Sequence, residues 1–173
     1  MGGLELDINI WISSFLVIFM LHNLEEITTI EDWFQQTYPR MINKIPPSIQ
    51  KELSQYKNIT SKQFSIVIFV FSIFISVFIL VAVMTQHYYL FLGVSLFFAL
   101  NIFSHPIQTL YFRSYTPGIL TSIILIIPYY ILFFYRFYNT DSFTMGSIFR
   151  AVIVMILFIP LFFFSHKIGK KWS

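Results

Sequence analysis

Residues 64–84 read FSIVIFVFSIFISVFILVAVM, a run with no charged side chain, no proline and no glycine. An α-helix rises about 1.5 Å per residue, so a run of this length can cross the ~30 Å hydrocarbon core of a bilayer. Ile, Val and Phe would suit a strand in water, but in lipid the backbone must satisfy its hydrogen bonds within the segment. An outer-membrane β-strand would alternate apolar and polar positions, and this run does not. The stretch therefore predicts a transmembrane helix.

Four further windows are apolar and nearly free of charged residues, and the sequence predicts an all-α, polytopic transmembrane helical bundle of about five helices. The chain of 173 residues is expected to form a single integral membrane domain. Of its residues, 57% are hydrophobic and 11% are charged, whereas a soluble domain carries roughly 25% charged residues. This composition excludes a water-soluble globule. The predicted spans cover about residues 8–27, 64–84, 88–111, 118–135 and 147–165.

The long hydrophilic stretch, residues 31–63, lies between the first two spans and is broken by Pro39 and by Pro46-Pro47. After the double proline, residues 48–56 would place apolar and charged side chains on different sides of a helix. This segment is predicted to form a short interfacial helix.

Two of the predicted helices carry capping signals at their starts. Thr60 and Ser61 offer N-cap oxygens just before the second span. Thr116 offers the same signal before the fourth span, followed by Pro117, whose missing N–H costs nothing in a first turn. The fourth helix is therefore expected to begin near Pro117.

The basic residues are divided unevenly between the two ends of the predicted bundle. The end with the N-terminus carries two, Arg136 and Arg150. The opposite end carries nine: Arg40, Lys44, Lys51, Lys57, Lys62, Arg113, Lys167, Lys170 and Lys171. The positive-inside rule assigns the more basic side to the cytoplasm. The sequence thus predicts a multi-pass protein of the cell membrane, with the N-terminus outside and the C-terminus cytoplasmic.

The formal net charge of +3 comes from 11 basic and 8 acidic residues, and most of the basic charge lies outside the apolar windows. This charge therefore reports on orientation in the membrane, and nucleic acid is not expected as a partner. The chain has no cysteine, which excludes disulfides, iron–sulfur clusters and thiolate zinc sites. Any metal must be held by histidine, carboxylate or amide groups.

Polar residues inside apolar helices are costly, and here they cluster in two sets. The first set lies near the predicted cytoplasmic end of the first span: His22, Glu25 and Glu26. The second set lies in the cytoplasmic half of the third span: Asn101, His105 and Gln108. Each set is spaced so that its members share one helix face. Because both helices run from outside to inside in the predicted topology, the two faces lie at the same depth and can meet.

Two imidazoles and two carboxylates at one helix interface match the ligands of a divalent metal: zinc, iron or manganese. His22, His105 and Glu26 are the predicted metal ligands, since Glu26 lies one helical turn beyond His22. The catalytic candidates are Glu25, Glu26 and His105, with Glu25 as general base or second carboxylate. The other interpretation is a hydrogen-bond network that holds the two helices together, at about 1–2 kcal/mol per bond.

Three further polar residues are candidates for binding a ligand or orienting the metal ligands. Asn101 and Gln108 could hydrogen-bond to the metal-binding side chains. Arg113 adjoins the start of the fourth helix, whose free N–H groups favour anions, so a phosphate or carboxylate headgroup could bind there. The favoured interpretation of Arg113 is nevertheless a positive-inside anchor.

Two ordered blocks of this sequence resemble a known family. His22-Asn23-Leu24-Glu25-Glu26 resembles the signature of the HXXEE domain family. A second block resembles that family over Asn101-x-x-x-His105, Tyr115-Thr116-Pro117-Gly118 and Thr121. The family consists of small, mostly bacterial, polytopic membrane proteins without an assigned activity. The resemblance therefore implies an architecture and a shared polar site. The residues of this chain that match the family's pattern, and to which the resemblance assigns the shared site, are His22, Glu25, Glu26, Asn101, His105, Pro117 and Gly118.

The favoured functional hypothesis is a membrane-embedded, metal-dependent enzyme that acts on a lipid or amphipathic substrate near the cytoplasmic leaflet. Hydrolase and oxidoreductase chemistry both remain open. The alternative is a non-enzymatic transporter, ion-binding, accessory or immunity protein with a buried polar network. Membrane lipids are expected partners, and a homodimer could supply the symmetry that transporters commonly have.

Overall fold

The computed structural model describes residues 2–42, 45–54, 56–138 and 144–172. Over these ranges the chain is helical, with short turns and no strand. The helices are α1 (Gly2–Gln36), α2 (Tyr38–Met41), α3 (Pro47–Ser54), α4 (Ser61–Thr85), α5 (Tyr89–Ala99), α6 (Asn101–Phe112), α7 (Ile119–Thr121), a π-helical segment (Ser122–Ile126), α8 (Ile127–Tyr138) and α9 (Met145–Trp172). The prediction of an all-α fold is confirmed.

Five helical stretches in the described part of the chain are long and apolar enough to cross a membrane. They are Ile8–Gln36, Ser61–Thr85, Tyr89–Phe112, Ile119–Arg136 and Met145–Trp172. The chain is therefore a multi-pass, membrane-type helical bundle, as predicted. The orientation of the bundle in the membrane stays a prediction.

The first helix is longer than its apolar window. It continues beyond the predicted end near residue 27 to Gln36, so the beginning of the expected loop is helical. The extension is stabilised by burial of Trp33 and Phe34, which pack in an apolar cluster with Phe64 and Phe112. Apolar contacts with residues distant in the sequence thus extend α1 into the hydrophilic stretch that follows the first span.

The short helix predicted after the double proline is present as α3, Pro47–Ser54. The Thr60 cap is confirmed, because its side chain accepts a hydrogen bond from the Gln63 N–H at 3.1 Å. These signals were readable because each depends on residues close together in the sequence.

The cap predicted at Thr116 is wrong. The N-cap position of α7 belongs to Gly118, which makes no side-chain cap. The Thr116 hydroxyl instead pairs with the Thr109 hydroxyl at 2.5 Å and lies 3.5 Å from the His105 carbonyl. The helix still begins near Pro117, at Ile119, and its first N–H groups are capped from α1.

Helices α4 and α5 both pack against α9, and α1 packs against α4. The interior is aromatic, with Phe15, Phe91 and Phe158 fully buried. Gly93 allows α5 and α9 to approach closely, since a Cβ atom there would lie 2.5 Å from Cβ of Val154. Close packing through small and aromatic residues is how helices associate inside a membrane.

The third and fourth spans are irregular where they approach the polar residues. The third divides at Leu100 into α5 and α6, and Pro106 lies inside α6. The fourth contains the π-helical segment Ser122–Ile126, just before Pro128. A proline cannot donate the usual backbone hydrogen bond, and a π-helical turn is one way to accommodate it. Such turns occur frequently at functional sites.

Candidate metal centre

Two buried histidines face each other across the α1–α6 interface. His22 on α1 is 1% exposed and His105 on α6 is 6% exposed. Their ring centroids are 4.9 Å apart, and the ring of His22 also packs edge-on against Phe98. The structure therefore brings together the two polar faces identified in the sequence.

Glu26 completes the cluster from one turn further along α1. Its Oε1 lies 3.5 Å from Nε2 of His105 and 3.9 Å from Nε2 of His22. Ligand atoms of the three residues all lie within 4.8 Å of one another. Bonds of about 2.0–2.2 Å place neighbouring ligands of a tetrahedral metal about 3.4 Å apart, so small side-chain movements would complete such a site.

The Nε2 atoms of the two histidines are buried, and within the described ranges neither has a hydrogen-bond partner. A buried nitrogen without a partner carries a free-energy cost of about 1–3 kcal/mol. A network that served only to hold the helices together would be expected to pair these atoms. Their placement beside one carboxylate is the arrangement expected of metal ligands.

The other nitrogen of His22 belongs to a chain of hydrogen bonds. Nδ1 lies 2.8 Å from the Thr121 hydroxyl, and that hydroxyl donates to Oε2 of Glu25 at 2.5 Å. Because the Thr121 hydroxyl donates its hydrogen bond to the carboxylate, its oxygen accepts a hydrogen bond from Nδ1–H of His22. His22 is therefore protonated on Nδ1, which leaves the lone pair on Nε2 directed at the cluster. A carboxylate that orients a metal-binding histidine is a common arrangement, here extended through a hydroxyl.

The Glu25 carboxylate caps the start of the fourth span. Its carboxylate accepts hydrogen bonds from the backbone N–H groups of Leu120 and Thr121, at 3.1 and 2.8 Å, and from the Tyr115 hydroxyl at 2.6 Å. The first N–H groups of a helix lack internal partners and favour a negative charge. Glu25 is thus the helix cap that Thr116 does not provide.

Tyr115 lies outside the predicted spans and shields one edge of Glu25. Partial burial, and then the hydrogen bond to the Glu25 carboxylate, raise the pKa of the Tyr115 hydroxyl to about 12. Its backbone carbonyl accepts a hydrogen bond from Nε1 of Trp33 at 2.6 Å. The loop before α7 is therefore fastened to α1 at two points.

Gly118 touches both histidines. A Cβ atom at this position would lie 2.7 Å from Cε1 of His105 and 2.8 Å from Cε1 of His22. Its φ of +84° also belongs to the left-handed region, which other residues rarely adopt. Two independent constraints therefore require glycine here.

The remaining candidate residues are Asn101, Gln108 and Arg113. Asn101 is half-buried and accepts a weak hydrogen bond of 3.4 Å from the Ser104 hydroxyl. Gln108 is exposed on α6. Among the described residues, no hydrogen bond joins either amide to His22 or to His105. Arg113 is exposed and lines a separate cavity.

From the sequence, Thr121 and Tyr115 had no assigned role, and Gly118 was carried over from the family resemblance without a structural reason. All three lie in the second block of that resemblance. Their roles depend on contacts with α1, about a hundred residues earlier in the chain. Their place in that block was the one available signal.

The chain matches one family model over most of its length. Residues 13–133 match the family described as a protein of unknown function with HXXEE motif. This range includes the site residues His22, Glu25, Glu26 and His105 and the segment 115–121. No curated protein and no solved structure matches the chain. The match covers well over half of the sequence, and the chain belongs to the HXXEE family.

Proposed function

We propose that this protein is a membrane-embedded metalloenzyme in which His22, Glu26 and His105 bind a divalent transition metal. The observation that carries the proposal is the pair of buried Nε2 atoms that form no hydrogen bond among the described residues and lie 3.5 and 3.9 Å from one carboxylate oxygen. Two imidazoles and one carboxylate suit zinc, iron and manganese.

The ligand set favours a catalytic over a purely structural metal. Structural zinc sites close the coordination sphere with four protein ligands, whereas catalytic sites use three and leave a position open. Within the described ranges, the cluster offers three. A bound metal would supply an activated water or a polarised substrate oxygen if it is zinc, and redox chemistry if it is iron or manganese.

The residues around the cluster have separate tasks in this proposal. Glu25 acts through Thr121 as a positioning residue, because its carboxylate oxygens are already engaged by donors from the fourth span. Thr121 holds His22 in the tautomer whose Nε2 can bind a metal. The Glu26 side chain is 18% exposed, so a substrate can reach the cluster from that side.

An amphipathic substrate is favoured by the surroundings of the cluster. The site lies within membrane-type helices, and a groove of about 270 Å³ lies between α1 and α4. Its lining is mostly apolar, and its polar residues are Ser72, Ser76 and Asn23, which follows His22 in the sequence. Such a groove accommodates an acyl chain, while the polar cluster acts on the group attached to it.

Elemental analysis of the detergent-purified protein tests the metal. We expect about one first-row metal per chain in the wild type, after loading with zinc, iron or manganese and removal of the excess. His22→Ala and His105→Ala should each lose it, because two ligands hold a metal far more weakly than three. His87→Ala is the matched control, since His87 is exposed and bonds to the Thr85 carbonyl outside the cluster. A wild type that retains no metal would favour a buried polar network in a non-enzymatic protein.

Turnover is tested separately. A membrane lipid extract incubated with the metal-loaded protein and analysed by mass spectrometry should show conversion of a lipid species. Glu26→Gln should abolish the conversion, and His87→Ala should not. Hydrolysis would appear as gain of water, and oxidation as gain of oxygen or loss of hydrogen. A stoichiometric metal without conversion of any lipid would contradict the lipid-active enzyme.

A further inference from the structure

A cavity with both polar and apolar lining residues lies where the third span ends. It has a volume of about 520 Å³ and is bounded by α2, the end of α6 and the turn that follows. Phe112 is the last residue of the span, so the cavity lies at the level where a membrane helix meets water. Its polar lining residues are Thr37, Arg40, Arg113 and Ser114.

Two arginines contribute to this cavity, and none of the described residues that line it is acidic. Over the described part of the chain, neither Arg40 nor Arg113 forms an ion pair with a carboxylate. Arg113 also has a φ of 49°, which is uncommon for any residue other than glycine. The turn after α6 therefore places a cationic side chain at the cavity despite an unfavourable backbone conformation.

A hydroxyl adds a hydrogen-bonding group. It belongs to Thr37, which lines the same cavity. Ser114 also lines the cavity, but its Oγ is inaccessible to solvent and does not face the open volume.

The remaining lining is apolar: Met41, Ile45, Tyr111 and Phe112. The cavity therefore joins a cationic, hydroxyl-bearing part to an apolar part. Guanidinium groups pair in a forked geometry with phosphate oxygens, and basic pockets at the ends of membrane helices bind anionic headgroups.

We propose that the cavity between Arg40 and Arg113 is a binding site for a phosphate group, with the two guanidinium groups as donors. A tetrahedral phosphate can accept from donors that approach from several directions, as these do from two different elements. The same chemistry belongs to the headgroup of an anionic phospholipid and to soluble phosphate. The site is independent of the metal centre, so it can be tested on protein stripped of metal by a chelator.

Binding is measured by titration calorimetry on the detergent-purified, metal-free protein with three probes. They are dioctanoyl phosphatidylglycerol, inorganic phosphate and dioctanoylglycerol, which has the same acyl chains without a phosphate. We expect saturable binding of a phosphate-bearing probe that weakens as salt is added, since exposed ionic contacts are screened. Arg40→Gln and Arg113→Gln should each weaken it about tenfold or more, because hydrogen bonds to charged groups are strong. Lys62→Gln is the control, as it removes the same charge from an exposed residue that does not line the cavity.

Each pattern of results decides the proposal. Binding of phosphatidylglycerol that depends on both arginines supports a lipid headgroup as the ligand. Binding of inorganic phosphate with the same dependence, without binding of the lipid, supports a soluble phosphate. The proposal is overturned if no phosphate probe binds saturably or if dioctanoylglycerol binds as tightly as phosphatidylglycerol. It is also overturned if both arginine variants, with melting temperatures like that of the wild type, bind as the wild type does.

Discussion

The Glu25 carboxylate accepts hydrogen bonds from both the backbone N–H and the hydroxyl of Thr121, at 2.8 and 2.5 Å. This pair joins the first span to the fourth, and through the hydroxyl it also sets the tautomer of His22. Two glutamates that are adjacent in sequence consequently have different environments. Glu25 holds the fourth span in place, while Glu26 faces the histidines.

Thr121→Val should separate the two tasks of Glu25. The substitution keeps the shape of the side chain and both backbone N–H donors, but it removes the hydroxyl that orients His22. Loss of such an outer hydrogen bond typically weakens metal binding by about 10–100-fold. Competition with a chromophoric chelator would measure this, and Thr121→Ser should restore most of the affinity.

Thr28→Val is the control for this experiment, because the Thr28 hydroxyl only bonds to carbonyls of its own helix. Equal metal affinity in Thr121→Val and the wild type would show that the hydroxyl does not orient His22.

Gly118→Ala should disturb both histidines at once. The new methyl group would lie 2.7 and 2.8 Å from the two rings, and the left-handed backbone costs a non-glycine residue about 1–2 kcal/mol. We expect a lower melting temperature together with loss of metal. Gly146→Ala is the matched control, since the nearest atom to its added Cβ is 3.9 Å away. Wild-type behaviour of Gly118→Ala in both assays would contradict the described contact.

The stability of the protein should depend on Tyr115 at alkaline pH. The pKa of its hydroxyl is raised to about 12 in the folded protein, compared with about 10 for an exposed tyrosine. A raised pKa means that this contribution to stability is fully present below about pH 10 and is lost as the pH rises through about 12. Tyr115→Phe should show a shallower fall of melting temperature over this range. Tyr135→Phe, at an exposed position, is the control. Identical alkaline profiles of the wild type and Tyr115→Phe would contradict the hydrogen bond to Glu25.

The predicted topology can be tested with single cysteines, since the natural chain has none. Lys57 and Gln86 are exposed residues at opposite ends of α4. In intact cells a membrane-impermeant thiol reagent should label Gln86→Cys, and it should label Lys57→Cys only after permeabilisation. The reverse pattern would invert the orientation that the basic residues predict.

Much of the fold was predictable because it depends on local patterns. The run at residues 64–84 lies within α4, Ser61–Thr85, and the Thr60 cap depends on a residue three positions away. The proximity of His22 and His105 was also predictable. Both residues lie near the same end of helices that cross the membrane in the same direction, so they lie at the same depth. The family resemblance rested on the same residues.

The contacts of Glu25 were not predictable in this way. The spacing from His22 singled out Glu26 as the candidate ligand and left Glu25 as general base or second carboxylate. The sequence did not show that the Glu25 carboxylate accepts hydrogen bonds from the first turn of α7. Thr116 had the residue type of a cap, but its hydroxyl is used by Thr109. Long-range contacts decided these outcomes, and no local pattern encodes them.

The central claim is that Glu26 is a metal ligand and not a member of a structural network. Glu26→Gln keeps the size of the side chain and its capacity for hydrogen bonding while it removes the charge. An amide costs less to bury than a carboxylate, so the metal-free variant should be as stable as the metal-free wild type or more stable. The decisive measurement is the metal content per chain of the two purified proteins, loaded side by side and analysed with their metal-free melting temperatures. The account predicts about one metal in the wild type and loss of that metal in Glu26→Gln without loss of metal-free stability. Equal metal content in both proteins, or a wild type that binds none, would contradict it.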